Sequence, residues 1–293
     1  MNPFDLHGPE FLLLYLLLFA ALSGLLILFR RRLEVFPVPK VDMSEPYLIA
    51  SLRGGQAEML RVAMVSLVDR GYLVAEGPQI AVAPTPTGPA PEHPLERALL
   101  EECRRQGATD ACMFLQTAEL GLMDMEELKT LPKEHHTRLT ELRLVPDRGV
   151  WWRRFYLALL GAAALVGVAN AKLHVAAERG RSNTGILEFL RLAAPVACFV
   201  LVLRPRRTRT GDLVLEDLAS LCGGLRDGAH ELQPGTSSRE LLLLAAVFGI
   251  GAVPATSYAF ASTLFPRASS GNGSCGSGCG GGGCGGGCGG CGG

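Results

Sequence analysis

The first long apolar run decides the fold class of this chain, and it reads FLLLYLLLFAALSGLLILF over residues 11–29. Its 19 residues carry no charge and are followed directly by Arg30, Arg31 and Arg32. As a helix the run spans roughly 28 Å, about the thickness of the hydrocarbon core of a bilayer. Its 14 Leu, Ile and Phe residues favour insertion by about 4–8 kcal/mol. A cleaved signal peptide would carry its positive charge before the run, so the sequence predicts an uncleaved transmembrane helix.

Three further apolar runs predict three more transmembrane helices, at residues 155–171, 186–203 and 241–265. The composition of the whole chain is typical of a membrane protein, because 48% of its 293 residues are hydrophobic and only 19% are charged. The run at 155–171 follows Trp151, Trp152 and two arginines, a pattern typical of the membrane interface. The sequence therefore predicts a mainly α-helical membrane protein with four spans.

The third run is the least regular, since it contains Glu188, Arg191 and Pro195. Glu188 and Arg191 are three residues apart, so they share one helical face and could pair inside the membrane. Intramembrane charges are functional candidates by default. The alternative is that this end of the helix lies at the interface, where both side chains reach water, and the residues leave both interpretations open.

The Lys and Arg counts predict the orientation of the chain. Segment 30–154 holds 17 of these residues and segment 204–240 holds 6, whereas segments 1–10, 172–185 and 266–293 hold none, 3 and 1. The richer segments are expected in the cytoplasm. Both termini are then outside the cell, and an odd number of spans would instead place them on opposite sides.

Segment 30–154 predicts a small helical cytoplasmic domain. A helix is expected at residues 56–69, followed by a short hairpin at 72–75 and 79–82, with further helices at about 94–105, 111–121 and 134–142. Helices followed by a hairpin resemble a winged-helix domain, a fold that often binds DNA. Residues 33–149, however, hold 12 basic and 18 acidic side chains. DNA binding needs a local surplus of Lys and Arg, so we expect a protein partner and no nucleic acid.

No catalytic constellation stands out in the sequence. His135 and His136 are adjacent, whereas helical metal ligands usually sit four residues apart, so a solvated face is expected. Four scattered cysteines form no C-x-x-C motif and are expected to be small core residues; they are Cys103, Cys112, Cys198 and Cys222.

The C-terminal tail, residues 266–293, is the most unusual feature of the sequence. Residues 271–293 hold 15 glycines and 5 cysteines, a composition with nothing to bury, so the tail is expected to be disordered. Its cysteines are candidate ligands for Zn or Cu, namely Cys275, Cys279, Cys284, Cys288 and Cys291. Disulfides and a low-complexity tail without a ligand are the alternatives.

Several segments together resemble an uncharacterised family of bacterial membrane proteins. The similar segments are residues 1–11, 46–55, 171–181 and 204–212 together with the Gly/Cys tail. The resemblance covers essentially the whole chain and implies residence in the bacterial inner (plasma) membrane. It implies no activity, cofactor or catalytic residue.

The sequence therefore favours a non-enzymatic membrane interaction or assembly protein. Metal or thiol-redox handling by the tail is one alternative. Transport through the bundle, using Glu188, Arg191 and Asn170, is another and would need an oligomer, because four spans are few for a monomeric carrier.

Overall fold

The computed structural model describes residues 8–39, 44–85, 91–120, 122, 126–178, 185–203, 206–236 and 238–266. The fold is mainly helical with a few short strands. In chain order its elements are α1 (Gly8–Leu33), α2 (Pro46–Gly54), α3 (Gln56–Asp69), β1 (Leu73–Glu76), β2 (Gln79–Val82), α4 (Pro94–Gln106), β3 (Thr109–Asp110), α5 (Ala111–Glu119), α6 (Glu126–Glu141), α7 (Arg148–Glu178), α8 (Gly185–Leu203), α9 (Arg209–Leu221), α10 (Gly223–Asp227), α11 (Ser238–Phe248) and α12 (Ala259–Leu264).

The chain divides into two compact units that both combine distant segments. The first, called here the span unit, comprises residues 1–52 and 133–221. The second, called the two-segment unit, comprises residues 53–132 and the chain from 222 onward. Segment 30–154, which the sequence predicts as one domain, is distributed over both units.

The span unit contains three helices that are long and apolar enough to cross a membrane, the full set among the residues that the structure describes. They are α1, α7 and α8, and the predicted runs 11–29, 155–171 and 186–203 lie within them. Helix α7 has 31 residues, about 46 Å at 1.5 Å per residue, so it is longer than the hydrocarbon core. These helices account for the membrane character of the sequence.

The three helices pack against one another around small side chains. A Cβ atom on Gly161 of α7 would overlap Leu26 of α1 and lie 3.1 Å from the Cys198 sulfur of α8. The outward faces are apolar as well, since Leu160 and Phe189 are 68% and 71% exposed. Helices that are apolar on all sides are expected in a bilayer, where lipid covers the outer face.

Helix α3 is the centre of the two-segment unit. It packs against α4, α5 and β1, and also against α11 from the C-terminal segment. The strands form one antiparallel sheet in the order β1-β2-β3. Asp69 at the end of α3 fastens the second segment, because its carboxylate accepts hydrogen bonds from the Gly235 amide (2.9 Å) and the Ser238 hydroxyl (2.6 Å).

Residues 241–265, the fourth predicted span, differ from the prediction because they do not form one continuous helix. Helix α11 has 11 residues, about 16 Å, which is too short to cross a bilayer. It ends at Gly249, whose φ of 91° favours glycine and stops the helix. A 3-10 turn at Ile250–Ala252 and the short α12 follow. The apolar side of α11, including the fully buried Leu241 and Leu244, packs on protein.

Local structure follows the local sequence signals elsewhere in the two-segment unit. Helix α3 occupies residues 56–69, as the apolar periodicity and the following Arg70-Gly71 indicated. The hairpin β1-β2 lies within one residue of its predicted place. In contrast, the loop predicted at 204–240 contains α9 and α10.

Candidate functional site

The residues singled out in the sequence do not converge on one site. The five tail cysteines lie outside the described residues. Glu188 is exposed on α8. Arg191 is half-buried, and its Nη1 donates a hydrogen bond to Asn170 Oδ1 of α7 at 3.3 Å. The structure thus joins Arg191 to Asn170, two of the three residues considered for transport.

A buried ion pair lies instead at the end of the bundle where α1 stops and α7 starts. Arg154 is 1% exposed and Glu34 is 3% exposed. Arg154 Nε donates to Glu34 Oε1 at 2.6 Å and Nη2 donates to Glu34 Oε2 at 2.8 Å. This bidentate arrangement is the strongest form of an Arg–carboxylate contact. It ties α7 to the chain just after α1.

Helix α8 is tied to the same place by Arg30. Nη1 of Arg30 donates to the Val202 carbonyl oxygen at 3.1 Å. Val202 lies in the last turn of α8, where carbonyl groups have no partner within the helix. Arg30 Nε is also 3.8 Å from Glu34 Oε1. One carboxylate and two guanidinium groups therefore connect the ends of all three spans.

The chain after α8 completes this network through hydroxyl groups. Arg154 Nη2 donates to the Arg207 carbonyl oxygen at 2.9 Å. The Thr208 hydroxyl donates to the Arg143 carbonyl oxygen at 2.8 Å, and the Thr210 hydroxyl accepts from the Phe36 amide at 2.8 Å. We call this set the juxtamembrane network: Arg30, Glu34, Arg154, Thr208 and Thr210.

The juxtamembrane network has a structural role. Its charged groups are buried, and the two guanidinium groups contact Glu34 and the Val202 and Arg207 carbonyl oxygens. Breaking such a pair by removing one partner typically costs about 3–5 kcal/mol. The network fixes where the spans end and where the chain leaves them.

An open groove of about 630 Å³ lies in the span unit beside this network, at the junction of α6 and α7. Its lining includes His136, Glu141, Arg143, Arg148 and Trp151. Arg143 has a φ of 56°, an unusual value for a residue other than glycine, and its guanidinium lies 4.9 Å from the centre of the Phe36 ring. The volume of the groove is sufficient for a small ligand.

The adjacent histidines, His135 and His136, lie in different surroundings. No group of three or more His, Cys, Asp or Glu side chains within the described ranges could hold a metal ion. Burial lowers the pKa of His135, and the nearby Glu45 opposes this shift only in part. His135 is half-buried, whereas His136 is exposed and lines the groove.

The four described cysteines form no disulfide, and three of them lie in unreactive surroundings. Cys103, Cys198 and Cys222 are buried, and Cys112 is exposed. Burial, reinforced by Glu102, raises the pKa of Cys103 to about 12, and burial also raises the pKa of Cys222. Thiols with raised pKa values are poor nucleophiles at neutral pH.

Sequence reasoning missed the juxtamembrane network. It used Arg30 and Arg154 only as markers of the cytoplasmic side. The available signal was Glu34, an acidic residue four positions after Arg30 at the end of an otherwise apolar helix. Its partner Arg154 is 120 residues away, and no local pattern joins the two.

Comparisons with known proteins give no assignment. No family model matches the chain, and no curated protein or solved structure is similar to it.

Proposed function

We propose that the protein is a non-enzymatic interaction or assembly protein of a bacterial inner membrane. In this proposal three spans anchor the chain, and the two-segment unit lies in the cytoplasm and binds a protein partner. A set of exposed apolar side chains on the two-segment unit supports a protein partner.

The packing of the two-segment unit supports a topology with three spans. Residues 53–132 and 222–266 belong to one compact unit, so they lie on one side of the membrane. Two of the candidate spans, α7 and α8, lie between them in the chain, and an even number of crossings returns the chain to the same side. The arginine-rich span ends favour the cytoplasm for that side. With α1 as the third span, the N-terminus is outside and the C-terminus inside, which replaces the expectation of two external termini.

The burial of α3 argues against a nucleic-acid partner. In a winged helix the hairpin follows the recognition helix, as β1-β2 follows α3, so α3 would have to enter the DNA groove. Eleven of its 14 residues are buried, and α11 packs on it. Arg61, one of the few residues at its surface, is engaged with Glu58 at 2.9 Å.

Helix α5 and the residues after it offer the surface for a protein partner. Met113, Leu120 and Leu122 are 59%, 72% and 68% exposed. Met113 and Leu120 are seven residues apart and therefore lie on one helical face. Exposed apolar groups gathered on one face mark interaction sites. We call this the α5 face.

Photo-crosslinking in cells tests the proposal. A photoreactive amino acid at Met113 or at Leu120 should give the same adduct, identified by mass spectrometry, and the same group at the exposed Arg104 of α4 should not. Leu120→Asp should reduce the Met113 adduct at least about fivefold while the protein level stays unchanged. Equal adducts at all three positions, or none at any, would remove the basis of this proposal.

Metal handling by the tail is the second candidate, and the proposed topology favours it over disulfides. A tail that follows residue 266 on the cytoplasmic side is in a reducing compartment, where thiols persist and bind soft metals. Purified protein should then carry Zn or Cu by elemental mass spectrometry, and replacing the five tail cysteines by Ser should abolish it. Equal metal content in both proteins would exclude this role.

A further inference from the structure

The groove at the junction of α6 and α7 carries charges of both signs. Arg143 and Arg148 supply two positive charges, and Glu141 and Asp147 supply two negative ones. Its volume of about 630 Å³ lies in the range of small-molecule sites. A ligand that matches this groove carries both a negative and a positive group.

These charges do not neutralise one another. In the part of the chain that the structure describes, no ion pair links any two of the four. Arg143 stacks on Phe36, and Asp147 Oδ1 accepts the Val150 amide at 2.6 Å as the cap of α7. Arg148 and Glu141 are exposed and make no side-chain hydrogen bond within the described ranges. They are therefore free to bind a ligand.

The position of the groove at the start of α7 indicates which class of ligand it binds. Trp151 lines it, and Trp151 and Trp152 are 44% and 49% exposed. Trp151 stacks on Phe155 with a distance of 5.5 Å between the ring centres, and Trp152 stacks on Tyr156 with a distance of 5.8 Å. Aromatic rings clustered at one end of a span lie at the level of the lipid headgroups. Helix α7 is longer than the hydrocarbon core, so its first turns extend into this region.

We propose that this groove binds the headgroup of a zwitterionic phospholipid. The phosphate would accept hydrogen bonds from Arg143 and Arg148, since guanidinium groups match phosphate geometry. The ammonium group would lie against the Glu141 carboxylate, and Trp151 would contact the glycerol region. The inference goes beyond the proposed interaction role, and it depends only on α7 crossing the membrane.

Native mass spectrometry of the full chain in detergent tests this site. Phosphatidylethanolamine and phosphatidylglycerol of equal chain length are titrated separately, and free phosphoethanolamine is added as a competitor. Phosphatidylethanolamine should bind about tenfold more tightly than phosphatidylglycerol. Arg148→Gln should weaken phosphatidylethanolamine binding about tenfold, the loss expected for one charge-assisted hydrogen bond.

Glu141→Gln is the discriminating variant. It removes the partner of the ammonium group and keeps the phosphate ligands, so it should abolish the preference for phosphatidylethanolamine while phosphatidylglycerol binds at least as well. Arg153→Gln is the matched control, because Arg153 is exposed near the same end of α7 but is not among the residues that line the groove, and it should leave binding unchanged. Tryptophan fluorescence melting verifies that each variant is folded.

Three results would overturn the proposal. The first is equal affinity for both lipids in the wild type. The second is an unchanged lipid preference in a folded Glu141→Gln variant. The third is full displacement of the lipid by stoichiometric phosphoethanolamine, which would assign the groove to a soluble ligand. Failure of this site would not affect the α5 face, because the crosslinking experiment measures a different surface.

Discussion

Replacing Arg154 by Met should destabilise the protein strongly. The substitution removes two hydrogen bonds to Glu34, of 2.6 and 2.8 Å, and one to the Arg207 carbonyl oxygen, of 2.9 Å. Glu34 is 3% exposed, so its carboxylate would remain buried, and among the residues that the structure describes its remaining charged contact would be Arg30 Nε at 3.8 Å. Removal of one partner of such a pair costs about 3–5 kcal/mol.

Thermal unfolding in detergent, followed by tryptophan fluorescence, measures this effect. Both tryptophans of the chain lie within three residues of Arg154, so the signal reports on the site itself. A loss of 3–5 kcal/mol corresponds to a fall in Tm of about 6–20 °C for a chain of this size. Arg153→Met is the matched control, since the Arg153 side chain is exposed and its Nε donates a hydrogen bond to the Gly149 carbonyl oxygen of its own helix at 3.3 Å.

A second variant separates the buried charge from other effects of the substitution. Arg154→Met combined with Glu34→Leu removes both members of the bidentate pair and leaves Arg30 bound to the Val202 carbonyl oxygen, so it should recover part of the lost Tm. If Arg154→Met shifts Tm no more than Arg153→Met, or if the double variant is no more stable than the single one, the role assigned to the juxtamembrane network is wrong.

Two further predictions concern close packing and thiol reactivity. Gly161→Ala should destabilise the bundle by about 1–3 kcal/mol, because the new methyl group meets Leu26, whereas Gly167→Ala should be neutral because that position is open; melting in detergent compares the two, and equal effects would contradict the packing. At pH 8 a maleimide should modify Cys112 and leave Cys103 unmodified, since the thiolate is the nucleophile and a pKa of about 12 keeps Cys103 protonated until the pH approaches that value. Peptide mass spectrometry reads out both thiols, and rapid modification of Cys103 in the folded protein would contradict its burial.

The lengths of the apolar runs predict four spans. Three of these runs form helices of spanning length among the described residues, and the fourth run does not. Residues 241–265 are apolar enough to insert, but Gly249 and Pro254 interrupt the helix, and α3 offers an apolar surface that covers α11 in place of lipid. Hydropathy measures the tendency to leave water and does not distinguish lipid from a protein core.

The two-segment unit was not predictable for a related reason. The periodicity of α3 and the hairpin β1-β2 are local signals, and the sequence gives them directly. The link from Asp69 to Ser238 spans 169 positions, and an Asp at the end of a helix is ordinarily read as a solvated residue. Long-range partners of single polar side chains leave no periodic pattern, and the same holds for Arg154 and Glu34.

The charged groove could not be predicted from the sequence either. Arg143, Arg148 and Glu141 belong to segment 33–149, whose charge balance is negative. The junction of α6 and α7 brings these three side chains to one groove. A net charge describes a whole segment and hides mixed-charge sites of this kind.

Labelling of the tail cysteines tests the three-span topology most directly. In cells expressing the Cys112→Ser variant, the buried thiols do not react, so a membrane-impermeant maleimide reports on the tail alone. With three spans, the tail should be labelled only after the membrane is permeabilised, while a cysteine introduced by Asn2→Cys in a variant whose tail cysteines are all Ser should be labelled in intact cells. Labelling of the tail in intact cells, directly or after reduction, would place the C-terminus outside and contradict the account.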